Sequence, residues 1–105
     1  MKNHVLTLAL STLVVFSAYG ADAAAGKKSY DTSCKKCHGA DGTANPSIAK
    51  MMKVEMKHLG SKEVQSKSDD ALKKEATAGV GKMKPVKISD ADAANIVAHI
   101  RTFKQ

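Results

Sequence analysis

The chain has 105 residues, 43% of them hydrophobic but only 4% aromatic, which suits one small domain with a modest side-chain core. Lysine and arginine number 17 against 10 acidic residues, for a formal net charge of +7. The lysines are scattered and Arg101 is the lone arginine, a pattern that argues against a nucleic-acid interface and for a surface that steers toward an acidic partner.

Lys2 is followed by an apolar run over Val5–Phe16 and then by Ala21-Asp22-Ala23, an A-x-A cleavage sequence. Residues 1–23 therefore read as a secretory signal peptide cut before Ala24, with Ala18-Tyr19-Gly20 and Ala23-Ala24-Ala25 as alternative cut sites. The apolar run is short for a bilayer span, and no cysteine lies near the cut to carry a lipid. The expectation is an exported, periplasmic domain over residues 24–105 with no stable membrane anchor. Loss of Lys2 and Asp22 with the leader leaves its charge balance unchanged.

Within that domain no period-two pattern appears, and valine and isoleucine are scattered singly, so the fold is expected to be all-α. A first helix is expected from about Ala25 to Lys36. Gly39–Pro46 is rich in turn residues, and Ser47 is the expected cap of a helix carrying Ile48, Met51 and Met52 on one face. Ser61 and Ser68 read as further caps, the second opening Asp69–Ala78, which Gly79 closes. Val80–Ile88, with Gly81 and Pro85, reads as an ordered loop. Ser89 then caps a last helix, with Asp92 three residues on and an apolar stripe of Ala93, Ile96, Val97, Ile100 and Phe103.

Cys34-Lys35-Lys36-Cys37-His38 carries the chemistry. It is the C-x-x-C-H sequence of covalent c-type haem attachment. Cysteines three apart share a helical face and reach the two vinyl groups of one haem, while the adjacent histidine supplies the proximal nitrogen. These are the chain's only cysteines, so one haem c is expected and no disulfide is left to form. A buried haem also offers the apolar surface that so few aromatics cannot. Thioredoxin-like chemistry shares C-x-x-C but needs a βαβ frame, for which there are no strands.

Together these features make the chain resemble the class I cytochromes c of the small bacterial monohaem type. The resemblance implies three to five helices wrapped around one covalent haem. It implies that Gly26 and Tyr30, eight and four residues before Cys34, pack the first helix across the last. His99 departs from the family, where many members have an aromatic. The resemblance also implies Met83 as the distal ligand, from the glycine-bearing loop ahead of the last helix, although Lys84 separates it from Pro85. Met51, Met52, Met56, His58 and His99 are the lesser rivals. Finally, it implies that the Pro46 carbonyl accepts the second ring N–H of His38.

With His38 and Met83 as metal ligands and Cys34 and Cys37 as attachment points, the implied function is a monomeric electron carrier and not an enzyme. Lys35, Lys36, Lys82 and Lys84 read either as a basic rim for acidic redox partners or as ordinary solubilising lysines. The alternative is a haem-based sensor or small-ligand binder, which needs the sixth ligand to be labile or absent.

Overall fold

The structure is a computed structural model and describes residues 20–105. The expected leader therefore lies, over residues 1–19, outside the described residues. What is described is all-α, with an isolated Val80–Met83 bridge as the one β pairing among the described residues. No helix among them is long and apolar enough to cross a membrane.

Helix α1 spans Ala23–Ser33, with Asp22 as its N-cap. It does not run on to Lys36 as expected. Cys34 leaves helical geometry at φ −122°, and α2 (Lys35–His38) restarts as a single turn. Helix α3 (Pro46–Met52) begins one residue before its expected serine cap. Asn45 is the cap, its side-chain oxygen accepting the Ser47 and Ile48 N–H groups, and Pro46 takes the first helical position. A proline there loses nothing, because that N–H has no intrahelical partner.

Helices α4 (Lys62–Gln65), α5 (Asp69–Ala78) and α6 (Asp90–Arg101) are capped by Ser61, Ser68 and Ser89, as their sequences imply. Each serine oxygen accepts the N–H three residues on, a cap worth about 1 kcal/mol. Gly79 closes α5. The break at Cys34 and the single turn of α4 bring the helical segments among the described residues to six.

The frame is α6 with α1 and α5 laid on it. Gly26 lets α1 approach α6 closely: a methyl group at that position would fall on the Asn95 carbonyl. One turn later Tyr30 is fully buried. Its ring meets His99 and Phe103 edge-on, at centroid distances of 5.2 and 5.3 Å, and those two rings lie 4.8 Å apart. His99 thus fills an aromatic position between the first and last helices. On the other side of α6, Val97 packs with Val64, Leu72 and the half-buried Leu59. Ala93, Ile96 and Val97 of the expected stripe are buried, while Ile100 and Phe103 are half-buried.

Arg101 locks the end of α6 to its neighbours. Its guanidinium donates to Asp69 Oδ1 (2.7 and 3.0 Å), to the Gln65 carbonyl (2.9 Å) and to the Lys67 carbonyl (2.6 Å). A lysine cannot reproduce this planar fork. Arg101→Ala is expected to destabilise the fold by roughly 1.5–3 kcal/mol, the range for charge-assisted bonds, and Arg101→Lys to recover less than half of that. Chemical denaturation of the three proteins checks this.

His99 generates a second expectation. Burial lowers its pKa, opposed by the Asp31 carboxylate and reinforced by the Lys27 ammonium. Its Nε2 is buried with no hydrogen-bond partner among the described residues. The unfolded chain takes up a proton at the ordinary histidine value, about 6.5, before the folded chain does, so stability falls as pH drops below that value. The loss levels off once the folded pKa is passed. His99→Phe is expected to fold and to have a shallower stability slope between pH 7 and 5 than the parent. Equal slopes in pH-dependent unfolding would refute this.

Candidate functional site

The C-x-x-C-H sequence lies where α1 ends. The carbonyl of Cys34 accepts the N–H of Cys37 (3.3 Å) and of His38 (3.0 Å), so both thiols and the imidazole belong to one tight turn. Both cysteines are half-buried free thiols, not joined to each other. Burial pushes the Cys34 thiol up to about 11, helped by the neighbouring Cys37. Burial likewise lowers the pKa of His38, which keeps its imidazole neutral with a lone pair to donate.

Two long-range contacts fix this turn. The Tyr30 hydroxyl donates to the carbonyl of Gly39, immediately after His38, at 2.6 Å. Asn45 spans the turn from the other side: its N–H donates to the Cys37 carbonyl (2.9 Å) and its side-chain amide to the Lys36 carbonyl (3.2 Å). Asn45 is thus both the cap of α3 and a clamp on the turn. The sequence signal was an asparagine directly before a proline, the pair that favours a cap followed by the first helical residue.

The expected bond from His38 to the Pro46 carbonyl is not made. His38 Nδ1 is buried without a partner among the described residues. Pro46 opens α3, where first-turn carbonyls serve as intrahelical acceptors.

Met83 lies on a separate element. Val80 and Met83 exchange both backbone hydrogen bonds (3.1 and 2.9 Å) across Gly81-Lys82, forming a tight two-residue turn. Gly81 has φ +56°, the left-handed value such a turn needs at its first central position. The turn is tied outward at both sides. Lys82 Nζ donates to the Met52 carbonyl at the end of α3 (2.7 Å), and Val86 N–H donates to the Ala76 carbonyl of α5 (2.9 Å). Helix α3 therefore links the two parts, with Asn45 on the cysteine turn at its head and Met52 under Lys82 at its tail.

The remaining candidates sit elsewhere or make other contacts. His58 accepts the Gly60 N–H on Nδ1 (2.8 Å), and its Nε2 lies 3.5 Å from the Gln105 amide. Met51 is 71% exposed, while Met52 and Met56 are half-buried. His99 is committed to the Tyr30–Phe103 cluster.

The residues present fit a covalently attached haem. Two thiols not joined to each other stand beside a neutral histidine, and α3 carries Ile48, Met51 and Met52 without burying any of its residues. No cluster of three or more His, Cys, Asp or Glu able to hold a metal ion by itself occurs among the described residues.

Residues 23–104 match the family described as Cytochrome c. The chain is 34% identical over 89 residues to cytochrome c-554(547) of Halothiobacillus neapolitanus, covering 79% of this chain and 98% of that protein. It is 32% identical over 107 residues to cytochrome c6 of a Picosynechococcus species, covering 93% and 92%. Its fold matches the solved KustC0563 c-type cytochrome with a TM-score of 0.66 at 26% identity, over 76% of this chain and 98% of that one. The family match spans nearly all of the described residues and the C-x-x-C-H turn lies within it: the chain belongs to the cytochrome c family, a small class I member that carries covalent haem c and transports electrons.

Proposed function

We propose that this chain is a periplasmic electron carrier holding a single haem, attached through Cys34 and Cys37 and ligated by His38 and Met83. The observation that carries the reading is the turn at Cys34–His38, with two free thiols and a neutral imidazole clamped by Tyr30 and Asn45. When bound, the haem supplies a one-electron iron couple.

The chain's own part is to hold and shield. His38 offers a lone pair at a position fixed through Gly39. Met83 offers a thioether from a turn whose backbone is fixed by its own two hydrogen bonds and by the Lys82 tie. Both are neutral donors, and neither passes a proton. Such a carrier needs no acid, base or nucleophile, and we read the chain as no enzyme. The leader-like sequence ahead of Ala24 supports export to the periplasm.

Lys35, Lys36 and Lys84 are exposed and close in sequence to the proposed attachment and ligand residues, which supports docking of acidic redox proteins to a monomer. Lys82, expected in the same rim, is also a tie between two elements.

The test is the visible and near-infrared spectrum of the purified haem protein. The oxidised form is expected to show the weak sulfur-to-iron charge-transfer band, and Met83→Ala to lose it while Met51→Ala retains it. A five-coordinate or bis-histidine spectrum in the parent protein would remove Met83 from the ligand set. Lys82→Ala is expected to keep the haem attached yet let added imidazole displace Met83 several-fold faster, with Lys82→Arg close to the parent. Stopped-flow spectroscopy measures the displacement.

A further inference from the structure

We infer that the exported chain is cut at the Gly20–Ala21 bond, not after Ala23, so that Ala21 and Asp22 remain part of the folded protein. The inference rests on the reading of the N-terminal segment as a leader. It moves the boundary upstream of the A-x-A sequence, because Asp22 is built into the fold.

Asp22 makes four hydrogen bonds. Its side-chain Oδ1 accepts the N–H groups of Ala24 (2.9 Å) and Ala25 (3.2 Å), and its carbonyl accepts that of Gly26 (2.9 Å). Its own N–H donates to Asn95 Oδ1 of α6 at 2.8 Å, across 73 residues of sequence. The first three start α1. The fourth pins that start to α6 beside the close approach at Gly26.

A cut before Ala24 removes all four bonds. It also replaces a carboxylate at the start of α1 with an ammonium group, the wrong sign for the positive end of a helix dipole. A cut after Ala25, the other alternative, removes Ala23–Ala25 of α1 as well. A cut between Ala21 and Asp22 keeps the carboxylate but turns the donor to Asn95 into the chain's ammonium terminus. Only a cut at least one residue further upstream leaves that donor a peptide N–H. Ala18 and Gly20 then stand at the third and first positions before the cut, where a leader peptidase needs small residues. The step is a hydrolysis: water adds to the Gly20 carbonyl, the Gly20–Ala21 C–N bond breaks, Gly20 leaves as a carboxylate on the leader, and Ala21 gains the new ammonium.

The test is intact mass and N-terminal sequencing of the haem-loaded protein recovered after export, together with thermal unfolding of Asp22 variants. The expected first residue is Ala21. A chain starting at Ala24 or Gly26 would overturn the inference while leaving the leader reading intact, and an uncut chain would overturn both the inference and the reading of the segment as a cleaved leader. Asp22→Ala is expected to lower Tm by roughly 4–8 °C, as for loss of a helix cap in a domain of this size. Asp22→Asn, which still caps, should recover most of that. An unchanged Tm in Asp22→Ala would count against any role for Asp22 in the exported fold.

Discussion

The close crossing of α1 and α6 at Gly26 is the constraint on which the rest of the structure depends. A glycine inside a helix costs about 1 kcal/mol relative to alanine. Here it lets the α1 backbone approach the Asn95 carbonyl, a place no side chain could occupy. Tyr30, four residues on and so on the same face of α1, is thereby carried into the only fully aromatic environment of the described residues, against His99 and Phe103. Its hydroxyl then reaches the Gly39 carbonyl. The position of the residue after His38 is thus set from the helix crossing, through one side chain.

The protein's own apolar interior is small. Among the described residues the buried hydrophobic ones are Tyr30, Val64, Leu72, Ala93, Ile96 and Val97, and four of these six belong to α1 and α6. Helix α3 and the Met83 turn lie outside that interior and are held in another way. Directional hydrogen bonds fix α3 at its two ends, through Asn45 and through the Met52 carbonyl, while Ile48 and its methionines remain only partly covered. Such an arrangement positions a wall without using up its apolar face. In a cytochrome c that face is free to pack on the cofactor, which makes haem part of the hydrophobic core in the same sense as a side chain.

Legibility in the sequence followed the range of the interaction. Serine caps act over three residues, and Ser61, Ser68 and Ser89 announced their helices correctly. The α6 stripe was equally plain, since periodicity reports a buried face directly. The break at Cys34 was not legible, because the lowered helix propensity of Ser33 and Cys34 is too weak a signal to end a helix by itself. The chain turns there because Tyr30, Gly39 and Asn45 hold the segment from elsewhere. The cap of α3 was misplaced by two residues because Ser47 is a good cap by composition, whereas Asn45 is the better one by its position before proline. The C-x-x-C-H turn itself was readable without structure. The Pro46 contact, carried over by resemblance, is not made: His38 Nδ1 has no partner among the described residues, and Pro46 opens α3.

The two neutral donors proposed for the iron have an electrostatic consequence that the rest of the chain reinforces. Neither an imidazole nor a thioether brings negative charge to offset the oxidised metal, and a thioether favours the reduced state more than a second imidazole would. Asp69, Asp70 and Asp90 are spent on α5 and α6, in pairs with Arg101 and Lys73, and Asp31, which precedes the turn, is paired with Lys27. The lysines beside Cys37 are exposed and have no acidic partner among the ion pairs of the described residues. A site of neutral ligands inside a chain of net charge +7 disfavours adding one more positive charge on oxidation. With the proposed ligands, ligand choice and surface charge would push the couple in the same direction, toward the reduced state.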